Sequence, residues 1–429
     1  MADKKIIGLE RNVFFTGLVS FFMDFSSEMI YPLVPIFLSS VLGVNKSIIG
    51  LIEGIAESTA SLLKVFSGWF SDRIGKRKIF MLAGYGISTL SRPIIALSAL
   101  WGHVLVFRFI DRFGKGIRGA PRDAIIAEST PMKDLGRSFG FHRGMDTLGA
   151  VAGPAVAFIL LSFFTGNYRL VFWLSMIPGM IAVMVIVFFI RERGQVKVPE
   201  NRDSDPRILE SILRSCYSAK YATKHETAKD EPLAPRSFDW RFKAFVAIAT
   251  LFAIGNSSDV FLILKATDTG IKETQIPILY LCFNLVYALT SVPAGILSDR
   301  IGRKRIILAG FILFGFIYWG FANASEQKHI WGLFLLYGVF MGLTEGIQKA
   351  FLATIIPEKF KATGYGIYNT FTGLALFPAS VAGGWLWDHV SPSATFYFGA
   401  ITATLSAILF IIFIVAIRGS SKQKTGDFI

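Results

Sequence analysis

Cysteine is nearly absent: Cys216 and Cys282 are the only two among 429 residues. One falls in a polar stretch and the other in an apolar run, so neither a disulfide framework nor a thiolate metal site is implied. Charge is scarce too, at 17% of residues against 53% hydrophobic, with a mean hydropathy of +0.53. A soluble chain of this length needs far more charged surface, so most apolar residues must face lipid. Acidic residues are the scarcer charged class, 30 against 44 basic, for a net charge of +14. That excess does not read as a nucleic-acid surface. The basic residues sit in short loops at regular intervals, which is the positive-inside pattern. No small-residue cleavage site follows Met1-Ala2-Asp3-Lys4-Lys5, so the first apolar run is expected to be a retained span and not a signal peptide. No phosphate loop, metal-ligand cluster or nucleophile–base constellation stands out, so no enzyme, metal or cofactor is expected.

What the chain does have is twelve apolar runs, near 12–40, 47–70, 78–99, 102–127, 138–164, 168–190, 241–266, 273–298, 304–322, 330–356, 362–388 and 393–417. Runs of about 20 residues span a bilayer as helices, because hydrocarbon leaves backbone groups no other partner. One long polar stretch, 191–236, separates the sixth run from the seventh and carries Pro199, Pro206, Pro232 and Pro235. The expected organisation is an N-terminal six-helix bundle over 1–190, a cytoplasmic linker over 191–240 and a C-terminal six-helix bundle over 241–429. Ile208, Leu209, Ile212, Leu213, Cys216 and Tyr217 recur at near-helical spacing in the linker. They read either as an amphipathic surface helix or as part of a disordered tether. The lysine- and arginine-rich loops all fall on one side, which places both termini in the cytoplasm and the protein in an inner or plasma membrane, with lipid and a small-molecule substrate as its partners. A monomer is expected.

The two halves repeat each other. Ser71-Asp72-Arg73-Ile74-Gly75-Lys76-Arg77-Lys78 returns as Ser298-Asp299-Arg300-Ile301-Gly302-Arg303-Lys304-Arg305, and each copy carries a glycine four residues before its aspartate, Gly68 and Gly295. Phe22-Met23-Asp24-Phe25-Ser26-Ser27-Glu28 lines up with the stretch from Phe252 through Asn256 to Asp259, Lys115-Gly116-Ile117-Arg118 with Glu345-Gly346-Ile347-Gln348, and Phe139-Gly140 with Tyr365-Gly366. The fold class is therefore an all-α membrane protein of twelve transmembrane helices in two pseudo-symmetric six-helix bundles. Parallel repeats of this kind put a binding site at their interface near the bilayer midplane.

This arrangement resembles the major facilitator superfamily of secondary transporters over nearly the whole chain. Gly68-x-x-x-Asp72-Arg73-x-Gly75-Lys76-Arg77-Lys78 matches the family's signature hairpin, and Gly295-x-x-x-Asp299-Arg300-x-Gly302-Arg303-Lys304 matches it again. Arg112-x-x-x-Gly116 resembles the family motif associated with proton coupling, and Gly149-x-x-x-Gly153-Pro154 the antiporter-type motif. The fourth run is far more charged than that of a usual drug exporter. The hairpin is expected to gate the cytoplasmic side. Gly68 lets helices approach, Gly75 allows the turn, and Asp72 can pair with Arg122 near the start of the eleventh helix, where negative charge is favoured. Arg73 and the other basic residues of the hairpin also serve topology alone.

A charge at mid-membrane costs about 2.5–3.5 kcal/mol, so it marks a cavity or a pair. Arg108, Asp111, Arg112, Lys115, Arg118, Arg122 and Asp123 fall on one stripe of the fourth helix. Asp24 and Glu28 share a face of the first with Ser20, Ser27 and Tyr31, and Glu53, Glu57 and Lys64 share one of the second. His142, Arg143 and Asp146 add to the fifth, with His142 and Asp146 one turn apart. The C-terminal half is poorer, offering Asp259, Glu345 and Lys349, with Asn256, Gln348, Tyr368 and Asn369 as polar lining. Arg108 and Arg122 read as residues near the two helix ends, where snorkelling would explain them.

The expected function is proton-coupled alternating access for an anionic solute such as an organic acid, a polycarboxylate chelate or a phosphorylated metabolite, with the proton gradient as energy source. Proton-coupling candidates are Asp24, Glu28, Asp111, Arg112 and Asp146. Substrate candidates are Arg112, Lys115, Arg118, His142, Arg143, Asn256, Asp259, Glu345, Gln348 and Asn369, since arginine forks suit carboxylate and phosphate. Drug or cation efflux by proton antiport, with Asp24, Glu28 and Asp146 binding substrate, is the alternative. A non-transporting sensor is a further one. Where these acids and bases only neutralise one another, they hold helices together and nothing more.

Overall fold

The computed structural model describes residues 5–74, 76–130, 135–191, 238–356 and 361–426. All twelve expected spans are helical there. They are α1 (Arg11–Val41), α2 (Lys46–Ile74), α3 (Arg77–Ala96), α4 (Trp101–Ser129), α5 (Leu135–Phe163), α6 (Tyr168–Phe189), α7 (Trp240–Asp268), α8 (Glu273–Ile301), α9 (Arg303–Asn323), α10 (Gln327–Ile355), α11 (Lys361–His389) and α12 (Pro392–Gly426). Among the described residues, nine of them are apolar enough to cross a membrane on composition alone. The other three, α2, α4 and α11, carry more charge or more small and polar residues and are sheltered by the rest. The proposed amphipathic segment around 208–217 lies outside the described residues.

Proline and polar clusters set the breaks. Pro32 and Pro35 turn the end of α1 through a 3-10 turn into a final π turn at Phe37–Val41. Pro93 interrupts α3 after Leu90. α7 unwinds between Gly255 and Val260, a break that the sequence pattern alone did not reveal.

The repeat is visible in the packing. In the first half α1 packs on α5 and α6, α4 on α2 and α3, and α3 on α6. In the second half α7 packs on α11 and α12, α10 on α8 and α9, and α9 on α12, which is the same pattern shifted by six helices. The halves join through α2 against α11 and α5 against α8. Large apolar side chains such as Phe188, Phe316 and Ile401 are exposed on the outside, as lipid contact requires. The interiors differ. The second half is filled by stacked aromatics, Phe252 on Phe311 and Phe314 on Tyr318 among them, whereas the first carries its charge inside.

Away from the chain termini, the halves are sealed together. The Asp388 carboxylate at the end of α11 accepts from the Lys46 and Ser47 amides at 3.2 and 2.6 Å and from the Ser47 hydroxyl at 2.7 Å. It thereby takes two of the orphan N–H groups of α2, while the Asn45 side chain takes the amide of Ile48 at 3.0 Å. One turn further in, a Cβ on Gly50 would sit 2.2 Å from the Ser380 carbonyl oxygen. Gly50→Val is therefore expected to overpack this seam by about 1–3 kcal/mol. Maleimide labelling of a Lys46→Cys reporter, with Cys216 and Cys282 replaced, should rise several-fold in that background. Unchanged labelling would show that the seal does not depend on this approach.

Candidate functional site

The densest buried charge lies between α1, α2, α3 and α4. On α2, Glu53 and Glu57 stand one turn apart, and on α4 Arg108 and Arg112 repeat that spacing, so two ion pairs form as rungs between the helices. Arg108 binds Glu53, and Arg112 reaches Glu57 at 2.7 Å. Arg108 is only 3% exposed, so it does not snorkel at a helix end. The sequence reading of that residue is corrected: its partner is buried carboxylate, not headgroups or water. Both guanidinium groups lie against the Tyr31 ring, 5.4 and 5.8 Å from its centre.

On the next face of α4, Asp111 turns toward Arg92 of α3 at 3.6 Å. Arg92 is 1% exposed and also donates to the Ser27 hydroxyl at 3.1 Å. Arg118 donates to Ser88 at 2.8 Å and lies 4.6 Å from the Tyr85 ring centre. These groups enclose a cavity of about 30 Å³, lined also by Asp24, Glu28 and Lys115. Room for about one water is all such a volume gives.

Asp24, Glu28 and Lys115 line this cavity without an ion-pair partner among the described residues, and Glu28 Oε2 is buried with no hydrogen-bond partner. The motif around Gly149 and Gly153 explains how the two acids are kept from lipid. A Cβ on Gly149 would come within 2.5 Å of the Phe21 carbonyl and 3.1 Å of Asp24 Cβ, and one on Gly153 within 2.9 Å of Glu28 Cβ. The glycines let the α5 backbone lie directly on the acidic face of α1.

Nearer the termini, His142 Nε2 meets the Ser20 hydroxyl at 2.6 Å, and its Nδ1 lies 3.7 Å from Asp146. Arg122 also reaches Ser20, at 3.5 Å, and pairs with Asp123 at 3.0 Å. Across the interface Tyr280 of α8 lies 5.5 Å from Tyr31, ring to ring, and Asp259 accepts from Tyr337 at 2.7 Å. Among the described residues no group of three or more histidine, cysteine or carboxylate side chains could hold a metal ion.

The profile of the Major Facilitator Superfamily matches residues 16–264 and 244–427. The chain belongs to the major facilitator superfamily. A relative from Methanocaldococcus jannaschii, named as an uncharacterized MFS-type transporter, is 34% identical over 94% of both chains. The inner membrane transport protein YajR of Escherichia coli is 23% identical over 88% of this chain and 77% of its own. A probable 4-methylmuconolactone transporter of Cupriavidus pinatubonensis is 23% identical over 94% and 90%. Among solved structures, a POT family transporter in complex with 5-aminolevulinic acid has a TM-score of 0.76 at 14% identity, covering 97% of this chain and 98% of that one. The nucleoside transporter NupG has 0.71 at 12% identity, covering 94% and 99%. Both share the fold. The protein is a membrane transporter of this superfamily and not an enzyme.

Within this MFS transporter the residues singled out from sequence divide into groups. Asp24, Glu28, Asp111, Arg112, Lys115 and Arg118 share the small cavity. It is built by the first half alone. Arg143 is not in it. Arg143 donates to the Tyr287 hydroxyl at 2.8 Å and lies 3.7 Å from Glu345, which Tyr287 and Lys349 also bind. This cluster edges a second cleft of about 460 Å³ that includes Gly295 and Asp299. Gln348 accepts from Tyr368 at 2.7 Å, Asn256 lies 3.5 Å from the Tyr318 hydroxyl, and Asn369 is half-buried on α11. None of Asn256, Asp259, Gln348 and Asn369 lines either cavity. Of the hairpins, Gly302 has φ of +99°, as the tight turn demands, and Arg300 is exposed. Gly68, Asp72, Arg73 and Gly75, with the expected Asp72–Arg122 pair, lie outside the residues whose side chains are described. Sequence reasoning missed Arg92 and Tyr287. A single arginine before Pro93 and the second of two tyrosines in the apolar eighth run were the available signals.

Proposed function

We propose that this transporter couples protons to a small anionic solute, with Asp24 and Glu28 as the protonated pair and Lys115 and Arg118 as the anion-binding donors. The observation that carries this reading is selective pairing. Arg92, Arg108 and Arg112 each have a carboxylate partner, while Lys115 faces the same cavity as Asp24 and Glu28 without one. Among the described residues Arg118 donates to a hydroxyl and lies on a ring face, with no carboxylate in ion-pair reach. A solute carboxylate or phosphate fits between those two cations. Once ionised, Asp24 and Glu28 compete with it for Lys115. Protonation removes the competitor, so proton and anion bind together and leave together, which is symport.

A cavity of about 30 Å³ cannot hold an organic solute. Loading therefore requires the six-helix halves to rock apart, with Tyr280 withdrawing from Tyr31. The termini and basic hairpins face the cytoplasm in this scheme, by loop charge, and the membrane is an inner or plasma membrane.

The test uses proteoliposomes containing a pH dye, challenged with citrate, succinate and glycerol phosphate. At least one should carry protons inward, and Lys115→Gln with Arg118→Gln should lower that flux by about 5–150-fold, the usual range of a coupling energy. Flux of cationic dyes in exchange for protons, untouched by the double variant, would favour efflux and overturn the anion reading.

A further inference from the structure

Arg143 is the arginine that the small cavity leaves out. The cleft it edges, about 460 Å³, lies between the halves on the side of the basic hairpins, where α5 faces α8 and α10. Among the described residues its lining carries three cations, Arg143, Arg303 and Lys349, and two carboxylates, Asp299 and Glu345. Arg303 is engaged by Asp299 at 3.1 Å and by the Ala350 carbonyl at 2.9 Å. Arg143 and Lys349 are left to share Glu345, at 3.7 and 3.5 Å, and the Tyr287 hydroxyl donates to the same carboxylate. One carboxylate between two cations leaves one positive charge without a counter-ion among the described residues. Both cations are open to the cleft, with 60% and 53% of their side chains exposed. Exposed contacts of this length contribute little, so exchanging one for another carboxylate costs little.

We propose, resting on the anionic-solute reading, that this cleft is a docking site for the transported anion, whose carboxylate or phosphate takes the place between Arg143 and Lys349 before the solute reaches Lys115 and Arg118. Volume supports this. A cleft of about 460 Å³ holds an organic solute, which about 30 Å³ does not. Position supports it as well. Tyr280, Asn284, Tyr287 and Ser291 share one face of α8. Tyr287 in the cleft therefore stands about 10 Å along the helix from Tyr280, which packs on Tyr31 at the small cavity. Glu345 becomes the internal competitor for the anion here, as Asp24 and Glu28 are for Lys115.

The test places a cysteine at Ser291, which lines the cleft, in the full chain in nanodiscs with Cys216 and Cys282 replaced. Its labelling rates with a sulfonate-bearing and a trimethylammonium-bearing methanethiosulfonate are compared. Arg143→Gln with Lys349→Gln should lower the sulfonate-to-ammonium ratio about tenfold, the low end of the enrichment a charged cleft gives. At least one of succinate, citrate and glycerol phosphate should slow labelling, and should still do so with Lys115→Gln and Arg118→Gln in place. Glu345→Gln should strengthen that protection. Should the double glutamine variant not fold, Lys349→Gln alone must still lower the ratio, and Arg143→Lys must keep it. Equal acceleration of both reagents in the double variant would show a clasp between the halves and overturn the proposal, as would the absence of protection by all three anions. Protection that vanishes with Lys115 and Arg118 overturns it too, while leaving the central anion site standing. Failure of that central site shows instead in proton flux, which this labelling does not read.

Discussion

Arg108→Leu is expected to leave little folded transporter, at a cost of about 3–5 kcal/mol, the range for removing one partner of a buried ion pair. Leucine suits the volume and the helix, so neither cavity nor propensity is the cause. The cause is Glu53, which is 1% exposed, has Oε1 already without a hydrogen bond, and would lose the group that neutralises it. Tyr31 would lose a cation from its ring face as well. Removing both charges in Glu53→Gln with Arg108→Leu should restore most of the stability, because a neutral amide costs far less to bury than a carboxylate. Thermal midpoints and monodispersity in detergent read this. A single variant as stable as the wild type would mean that water reaches Glu53 freely. For contrast, Lys328→Ala removes the exposed pair with Glu326 and should not move the midpoint measurably.

The Glu53–Arg108 pair also shows how far sequence alone reaches. Spacing placed Glu53 and Glu57 on one face of α2 and Arg108 and Arg112 on one face of α4, because a helix repeats every three to four residues. Periodicity names a face and not the neighbour opposite it. Arg108 therefore looked like a snorkelling residue, and Arg92, beside Pro93, did not stand out at all. Arg143 fell in register with the charged groups of α5, but its helix turns it toward α8, where Tyr287 and Glu345 hold it outside the small cavity. The twelve spans were legible because hydrocarbon permits so few backbone solutions. The break in α7 was not. Asn256 reads in the sequence as polar lining of a continuous span, whereas the helix ends at Gly255 and resumes only at Val260.

Asp24→Asn with Glu28→Gln is expected to lower accumulation driven by a pH gradient at least severalfold while leaving exchange of solute for solute intact. Asparagine and glutamine keep the shape and stay neutral, so they reproduce the protonated pair permanently. Lys115 then has no internal competitor, and anion binding should neither weaken nor depend on pH. What disappears is the step in which an ionised Asp24 or Glu28 ejects the anion, and with it the thermodynamic link to protons. Loss of that link should lower gradient-driven uptake by about 5–150-fold. Counterflow, which asks only for binding and alternating access, should continue at a comparable rate. The single variants divide the task. Glu28 lies where a Cβ on Gly153 would touch it and has a buried oxygen without a partner, whereas Asp24 lies one turn nearer the His142–Asp146 pair. Glu28→Gln alone is therefore expected to remove most of the coupling, with Asp24→Asn having the smaller effect. Uptake that still follows the pH gradient when both acids are neutral would move the proton to another group, and Asp146, 3.7 Å from His142 on α5, would be the next to replace.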